Sequence, residues 1–244
     1  MRVNVLFSPV ITDELYFTGK TVVVIDVLRA STTIVTALQN GAREVVPVAT
    51  VEFGVKISGG MFGGQTLLGG ERNTRKVEGF ALGNSPLEYA REIVAGKTII
   101  LYTTNGSKAI VKAKYAENLY ICSYLNLSAA AKQIIKTGKD FEILCAGKSN
   151  SFSLEDAVCA GRLIHQLMNL KDDLEITDTA RVALSLNNSF GRDPLKMLKE
   201  TEHGKLLLQN GFEDDLKYAA GTDTSDVIPY LATNVLKPLS GNES

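Results

Sequence analysis

The sequence predicts an α/β fold, with a mainly parallel β-sheet in a three-layer α/β/α arrangement and a helix-rich C-terminal lobe. Short β-branched runs alternate with amphipathic segments up to about Asn150, and strand signals fade beyond it. The 244 residues are 45% apolar and 22% charged, which is typical of a globular protein. We therefore expect one compact unit over 1–244, with a lobe boundary near 150.

Short apolar runs and helical patterns give the elements in order. The predicted strands cover residues 3–7, 21–27, 44–48, 66–68, 98–102, 118–122 and 141–145. The predicted helices cover 31–40, 86–95, 107–115, 126–137 and 153–168, and a helix-like segment runs on to about Tyr218 except for a loop over 187–194. This alternation favours crossover units, so ligands should bind where the strands end.

Charge and cysteine content exclude several classes of protein. The chain has 26 basic and 27 acidic residues, so no overall field attracts nucleic acid or an anionic membrane, and we expect neither as a partner. No stretch approaches the roughly 20 apolar residues of a membrane span. Three cysteines without CxxC spacing argue against a disulfide framework or a structural zinc site and favour a reducing, cytoplasmic location. A homo-oligomer is left open.

The first candidate site follows the run 21–27. Asp26 ends the apolar run, Arg29 comes three residues later, and Ser31 and Thr32 stand where a helix should begin. Free N–H groups at a helix start and a guanidinium attract phosphate or sulfonate, and a carboxylate can hold a divalent cation. The alternative is that Ser31 or Thr32 caps the helix while Asp26 and Arg29 form an ion pair.

Two glycine-rich stretches follow. Residues 59–64 predict a loop or a lid, because no GxGxxG motif opens a helix there. The second stretch, 69–73, ends in Glu71, Arg72 and Asn73. Glu71 suits a metal ligand or a general base, and Arg72 suits a second anion clamp.

Two further polar loops should lie at the same edge of the sheet. In the first, Asn84 is an open ligand donor, whereas Ser85 has the spacing of a capping box with Pro86 and Glu88. In the second, the strand 98–102 leads into hydroxyl and amide groups and a turn glycine, namely Thr104, Asn105 and Gly106. A plain turn explains Asn105-Gly106 equally well.

The segment after the strand 141–145 offers Lys148 as a cation and Glu155 and Asp156 as acidic groups. A P-loop is excluded because Glu142 stands where its first glycine is required, and a cysteine-phosphatase loop is excluded because Ser151 stands where its arginine is required. Asp156 has capping-box spacing, and Glu155 could face a metal or complement the helix dipole. Of the two histidines, we expect His165 to be structural. For His203 we favour a structural position over contact with a ligand.

Eight short strings, in order along almost the whole chain, resemble the 2-phosphosulfolactate phosphatase family. They are DVLRAST (26–32), GGERN (69–73), LGNSP (82–86), TTNG (103–106), CAG (145–147), FSLEDA (152–157), HG (203–204) and TSDVIP (224–229). The resemblance implies a fold peculiar to that family. It also implies a magnesium-dependent phosphatase that converts (R)-2-phospho-3-sulfolactate into 3-sulfolactate and phosphate, a step in coenzyme M biosynthesis. Ala219-Ala220 departs from the Cys-Ala expected there, so any role for that thiol is absent.

The residues and the resemblance together assign the expected roles. We expect Asp26 and Glu71 to be catalytic and Mg²⁺ to bind among Asp26, Glu71, Glu155 and Asp156. A small phosphorylated or sulfonated acid should contact Arg29, Ser31, Thr32, Arg72, Asn73, Asn84, Ser85, Thr104, Asn105, Gly106 and Lys148.

Metal-assisted attack by water is the favoured route, on sulfolactate phosphate or a related 2-phospho acid. Two alternatives are a phosphoaspartyl enzyme through Asp26 and a non-catalytic binder of small anionic acids. The first is weakened because Leu28 stands where the second carboxylate of such enzymes is expected. The second is weakened because an anion binder gains nothing from extra carboxylates without a metal.

Overall fold

The computed structural model describes residues 1–11, 13–60 and 65–239, and within them the chain forms eleven strands and ten α-helices. The strands are β1 (Arg2–Leu6), β2 (Thr21–Ile25), β3 (Glu44–Val48), β4 (Thr66–Arg72), β5 (Arg75–Lys76), β6 (Thr98–Tyr102), β7 (Asn118–Cys122), β8 (Phe141–Cys145), β9 (Glu175–Ile176), β10 (Pro229–Ala232) and β11 (Val235–Pro238). The helices are α1 (Ala30–Gln39), α2 (Val51–Ser58), α3 (Arg91–Val94), α4 (Gly106–Lys112), α5 (Leu127–Thr137), α6 (Leu154–Leu170), α7 (Asp178–Phe190), α8 (Pro194–Glu200), α9 (Glu202–Gln209) and α10 (Glu213–Ala219). Short 3₁₀ turns cover Pro9–Ile11, Glu14–Phe17, Pro86–Glu88 and Tyr124–Asn126.

The strands form one mostly parallel sheet in the order β5-β4-β6-β3-β11-β10-β7-β2-β8-β1-β9. Parallel ladders join β4, β6 and β3 on one side and β7, β2, β8, β1 and β9 on the other. The antiparallel hairpin β10–β11 lies between these two groups and pairs with each through a single residue, Leu236 with Val45 and Tyr230 with Tyr120. The α/β prediction is confirmed, and the hairpin is an addition that the sequence reading did not anticipate.

Strand β2 explains why helices cover both faces of the sheet. Its five residues are all buried, and side chains alternate between faces along a strand. Val22 and Val24 join a core with apolar residues of α1 and α4, whereas Val23 and Ile25 join a second core with α5, α6 and α7. The result is three layers, and in the C-terminal region helices α7 to α10 follow one another without an intervening strand.

One predicted loop is shortened by packing. The loop expected over 187–194 is confirmed only for residues 191–193, because α7 continues to Phe190 and α8 starts at Pro194 behind an Asp193 cap. Helix α7 packs very closely on α6, since a Cβ on Gly161 would lie 2.0 Å from the Ala183 carbonyl oxygen. Asn187 is buried there, so tertiary contact holds helix in a stretch of poor helix formers.

The other corrections concern short elements. The helix expected over 86–95 is divided into a 3₁₀ turn at Pro86–Glu88 and the four-residue α3. Helix α2 was not predicted, because its β-branched residues and Gly54 suggest no helix. A Cβ on Gly54 would lie 3.3 Å from Val48 Cγ2, so glycine lets α2 approach the sheet. Residues 61–64 of the predicted glycine-rich loop or lid lie outside the described residues.

Among the residues that the structure describes, no helix has the length and apolar character that a membrane span requires. All three cysteines are buried and unpaired.

Candidate active site

Asp26 follows β2 directly and closes the start of α1. Its carboxylate Oδ1 accepts a hydrogen bond from the Ala30 N–H at 3.3 Å, and its own N–H donates to Ser31 Oγ at 2.9 Å. The helix end that was expected to meet a phosphate is therefore occupied by a side chain of the protein. Ser31 and Thr32 also serve the backbone, because Thr32 Oγ1 donates to the Val27 carbonyl at 2.8 Å. The capping alternative is wrong, because both residues lie inside α1 and neither side chain accepts from an N–H of the first helical turn.

Gly106 brings the loop after β6 against Asp26. A Cβ at this position would lie 2.4 Å from Asp26 Oδ2 and 2.4 Å from Ala30 Cβ, which leaves no room for a side chain. The backbone N–H of Gly106 also hydrogen-bonds to Asp26. The loops that follow β2 and β6 thus meet, although the hairpin separates their strand groups in the sheet.

Glu71 joins the ends of β4 and β6. Its Oε2 accepts from the Thr74 N–H at 2.8 Å and its Oε1 accepts from the Thr104 N–H at 2.7 Å. Gly70 permits this approach, because its φ of 144° suits glycine and a Cβ would lie 1.9 Å from the Tyr102 carbonyl oxygen. Both oxygens of this buried carboxylate are fixed in direction, which suits a ligand or base held in one orientation.

Asp156 joins a second pair of loops from the first turn of α6. Its Oδ1 accepts from the Val27 N–H at 2.9 Å, and its Oδ2 accepts from the Gly147 N–H at 3.2 Å. The adjacent Glu155 is also buried and accepts from the hydroxyls of Ser153 and Thr201. Asp156 therefore braces the ends of β2 and β8, in addition to any part in holding a metal.

Burial disfavours ionisation of three of these carboxyl groups, Asp26, Glu155 and Asp156. Burial, followed by the charges of Glu71 and Glu155, raises the pKa of Asp26 from 3.8 to about 7, against the lowering effect of hydrogen bonds from Ala30 and Gly106. Burial also raises the pKa of Glu155, and burial with the charges of Asp26 and Glu155 raises that of Asp156. We call Asp26, Glu71, Glu155 and Asp156 the acidic cluster.

Arg29 lies beside the acidic cluster but is already paired. Its Nη1 lies 2.6 Å from Asp215 Oδ2, and each side chain is only 2% exposed. Its Nη2 donates to the Thr74 carbonyl at 3.0 Å, and its guanidinium carbon stands 4.2 Å from the centre of the Phe212 ring. The guanidinium that was expected to clamp an anion is thus engaged by Asp215, and the expected Asp26–Arg29 pair is replaced by a pair 186 residues apart in sequence.

The other predicted cations reach the surface. Arg72 is exposed, with its guanidinium 6.0 Å from the Tyr102 ring, and Asn73 beside it is exposed in a left-handed turn with φ of 53°. Lys148 is half-buried, and its Nζ lies 3.4 Å from Glu202 Oε2. These groups are available to an incoming anion, unlike Arg29.

The predicted amide and hydroxyl groups divide into two kinds. Ser85 Oγ donates to Asp215 Oδ1 at 2.6 Å, and Asn105 Oδ1 accepts from the Ser149 N–H at 3.0 Å. Asn84 Oδ1 and Thr104 Oγ1, by contrast, are buried oxygens without a hydrogen-bond partner, and so is Thr74 Oγ1. Buried polar atoms are normally satisfied, so orphaned oxygens on these adjoining loops mark a place that a ligand or water would complete.

The donor set fits a hard divalent cation. In the part of the chain that the structure describes, no group of three or more Asp, Glu, His or Cys side chains is arranged to hold a metal. Mg²⁺ commonly takes only one or two protein carboxylates and fills its other positions with water and phosphate oxygens. Asp26 and Glu71 supply two such carboxylates that repel each other, and the orphaned Thr104 oxygen belongs to the residue whose N–H binds Glu71.

Sequence reasoning missed Asp215 and Phe212 and gave His203 little weight. Asp215 is one of three consecutive acidic residues, and nothing in that run distinguishes the buried one. Burial, and then the charges of Arg29 and Lys148, lowers the pKa of His203 from 6.5 to about 4, so its imidazole is neutral near these cations. The HG string was the one available signal for it.

An apolar cavity of about 500 Å³ lies elsewhere, between α2, α4 and the hairpin. Its walls include Val48, Phe53, Ile110 and Leu231, and no predicted site residue lines it. The acidic cluster, with its orphaned oxygens, is therefore the better candidate for chemistry.

The chain is similar to known proteins over most of its length. A family model described as 2-phosphosulpholactate phosphatase matches residues 10–234. A protein of Caldanaerobacter subterraneus named "Probable 2-phosphosulfolactate phosphatase" is 41% identical over 218 residues, which are 89% of this chain and 90% of that protein. Proteins with the same name from Clostridium acetobutylicum and Clostridium perfringens are each 38% identical, covering 94% and 93% of this chain and 97% and 92% of their own lengths.

Proposed function

The chain belongs to the 2-phosphosulfolactate phosphatase family and is a phosphoric monoester hydrolase, and we propose that it converts (R)-2-phospho-3-sulfolactate into 3-sulfolactate and phosphate with Mg²⁺ as cofactor. The reaction cleaves the bond between phosphorus and the ester oxygen, and water supplies the new phosphate oxygen. The proposal includes a cytoplasmic location and a place in coenzyme M biosynthesis. Three buried, unpaired thiols support the location.

The single observation that carries the proposal is the acidic cluster beside orphaned oxygens. The substrate carries a phosphate, a carboxylate and a sulfonate, and buried carboxylates would repel it unless a cation offsets their charge. Asp26 and Glu71 are the residues that would hold that cation, with Glu155 next to them. Bound there, Mg²⁺ would neutralise carboxylate and phosphoryl charge and favour departure of the ester oxygen.

The residues of the chain divide the remaining work. Asp26 is the carboxylate that can take a proton from an attacking water, and in the metal-free protein burial raises its pKa to about 7. Glu71 is held by two backbone N–H groups, so its carboxylate keeps one orientation throughout. Arg72 and Lys148 are the cations that remain accessible to the phosphate, carboxylate and sulfonate groups.

The test measures phosphate release from (R)-2-phospho-3-sulfolactate and from 2-phospholactate, each with Mg²⁺ and with a chelator. We expect turnover with Mg²⁺, its loss in chelator and its recovery when Mg²⁺ is added back. Asp26→Asn should lower kcat by about 10³-fold, the upper part of the range for a lost proton-transfer group. Asp172→Asn, an exposed carboxylate far along the chain, is the matched control. No turnover of either substrate with Mg²⁺ refutes the proposal.

Labelled water and hydroxylamine trapping together distinguish the two routes. In attack by water, a single turnover in H₂¹⁸O places ¹⁸O in phosphate and none in the protein. In the phosphoaspartyl alternative, hydrolysis of an acyl phosphate at phosphorus also labels phosphate, so the protein is instead trapped with hydroxylamine during turnover. A hydroxamate at Asp26 would replace water attack by the covalent route.

A further inference from the structure

We propose that Asp215, which no sequence motif marks, is a positioning residue for the phosphatase site and acts through Arg29 and Ser85. This inference rests on the proposed function for its kinetic test but not for its structural test. Asp215 lies on α10, and its two carboxylate oxygens hold two different loops. Oδ2 binds Arg29 Nη1 and Oδ1 binds Ser85 Oγ, each at 2.6 Å.

The Arg29 branch leads to Glu71 by short steps. Arg29 Nη2 donates to the carbonyl of Thr74 at 3.0 Å, and the N–H of Thr74 donates to Glu71 Oε2 at 2.8 Å. The other oxygen of Glu71 is held by Thr104. Asp215 therefore fixes the turn whose backbone directs one oxygen of Glu71.

The Ser85 branch leads to the orphaned amide. Ser85 follows Asn84, whose Oδ1 is buried without a partner and whose carbonyl accepts from Thr33 Oγ1 at 2.9 Å on α1. Holding Ser85 thus fixes the peptide that presents Asn84. One carboxylate sets the positions of two loops that were predicted to contact substrate.

The pair is also shielded from water, which keeps Arg29 in place. Both side chains are 2% exposed, and Phe212, three residues before Asp215, stacks at 4.2 Å on the guanidinium. A guanidinium held by a carboxylate, a carbonyl and an aromatic ring has little freedom to swing toward solvent. The pair therefore acts as a fixed support, and the exposed Arg72 and Lys148 are left to meet the substrate.

The first test measures amide hydrogen exchange of Thr74 and Thr104, whose N–H groups bind Glu71. Asp215→Ala should speed exchange at Thr74 by at least about tenfold, because its peptide loses the Arg29 support, with a smaller effect at Thr104. Asp214→Asn is the matched control, because Asp214 lies next to Asp215 but is exposed and pairs with Lys217. Unchanged exchange at Thr74 in Asp215→Ala overturns the proposal whatever the enzyme acts on.

The second test separates positioning from simple loss of fold. Asp215→Ala should lower kcat for phosphate release by about 10²-fold, while KM changes less than about threefold, because misplaced groups reduce catalysis more than binding. Asp215→Asn keeps an acceptor oxygen for Arg29 Nη1, and its amide N–H can donate to Ser85 Oγ, which now accepts instead of donating, so the variant should recover at least tenfold of that loss. A folded Asp215→Ala enzyme with the kcat of the wild type overturns the proposal.

Ser85→Ala provides the answer if Asp215→Ala does not fold. This variant removes one of the two links and leaves the buried ion pair intact. We expect kcat to fall about fivefold or more, a smaller loss than in Asp215→Ala because only one of the two contacts of Asp215 is removed. Wild-type kcat in Ser85→Ala then overturns the proposal. If Asp215→Ala speeds exchange at Thr74 as expected but the wild-type enzyme releases no phosphate, only the proposed function is refuted.

Discussion

Two groups of buried charge lie side by side on the same loops, and they are built in opposite ways. Arg29 Nη1 and Asp215 Oδ2 lie 2.6 Å apart, so the two charges offset each other, while Arg29 Nη2 donates to the Thr74 carbonyl and Asp215 Oδ1 accepts from Ser85 Oγ. The acidic cluster holds only carboxylates, and the charged neighbours that act on Asp26 are Glu71 and Glu155. Both groups are equally buried, so burial alone does not distinguish them.

The difference separates support from chemistry. A complete buried pair leaves nothing for a ligand to add, so it can only hold its surroundings. Buried carboxylates of like charge carry a cost that a bound cation would remove, and such perturbed groups concentrate at functional sites. The comparison therefore predicts that removing a charge has opposite effects on stability in the two groups.

The largest expected effect comes from breaking the balanced pair. Arg29→Met leaves Asp215 buried without a counter-charge and should lower the free energy of unfolding by roughly 3–5 kcal/mol. Urea denaturation at neutral pH in chelator measures the change. The control is Lys217→Met, which removes a cation whose partner, Asp214, is exposed. We expect no resolvable change there, and equal losses in both variants would show that burial of the pair does not matter.

The second effect tests the contact between the two groups of strands. Gly106→Ala places a Cβ 2.4 Å from both Asp26 Oδ2 and Ala30 Cβ, which is impossible without movement. We expect a loss of about 3 kcal/mol, the upper end for overpacking, together with a lower kcat.

Gly59→Ala is the matched control, because Gly59 has a φ of −79° and nothing within 4 Å of a new Cβ. Its stability should change by less than about 0.5 kcal/mol. Wild-type stability and kcat in Gly106→Ala would mean that the loop after β6 does not need to approach Asp26.

Removing a carboxylate from the acidic cluster should raise the free energy of unfolding, whereas breaking the Arg29–Asp215 pair should lower it. A rise in the pKa of Asp26 from 3.8 to about 7 corresponds to about 4 kcal/mol of lost stability at pH 8 in metal-free protein, since each pH unit is worth about 1.4 kcal/mol. Asp26→Asn removes that cost but leaves one of two backbone N–H donors unpaired, which costs roughly 1–3 kcal/mol. The variant should therefore be about 2 kcal/mol more stable than wild type at pH 8.

The pH dependence of stability tests whether the raised pKa of Asp26 is the cause of this gain. Because the folded-state pKa of Asp26 is raised, wild-type protein loses stability as pH rises toward and through 7 and regains it as pH falls. The advantage of Asp26→Asn should shrink by roughly 2–3 kcal/mol between pH 8 and pH 5. Urea denaturation in chelator at both values measures it, and an advantage that does not depend on pH would contradict the raised pKa.

The fold was largely predictable, because its signals are local. The run of buried residues in β2 and the helical spacing in α1, α5 and α6 are readable from neighbours in sequence. Helix α2 and the hairpin β10–β11 were missed, because tertiary contact rather than local pattern decides them. For α2 the deciding contact is Gly54 against Val48.

The site was predictable only as a set of loops. Polar residues after strands 21–27, 66–68 and 98–102 were expected to meet. The segment 104–106 does contact both Glu71, through the Thr104 N–H, and Asp26, through Gly106. Which oxygen accepts which N–H depends on backbone geometry that the sequence does not encode locally. The Arg29–Asp215 pair spans 186 residues, so no spacing rule could pair them.

The smallest effect concerns His203, which lies near Arg29 and Lys148. Its pKa is lowered to about 4 by burial and by the charges of Arg29 and Lys148, so the imidazole should stay neutral from pH 6 to pH 9. His203→Gln preserves a neutral polar side chain and should move the midpoints of the kcat–pH profile by less than about 0.3 unit. His165→Gln, at an exposed position of α6, is the control for any general loss. If a wild-type transition between pH 6 and pH 8 vanishes in His203→Gln alone, the imidazole titrates there. The group that titrates near neutral pH would then be His203 and not Asp26. That result would contradict the distinction between the Arg29–Asp215 pair as a support and the acidic cluster as the reactive group.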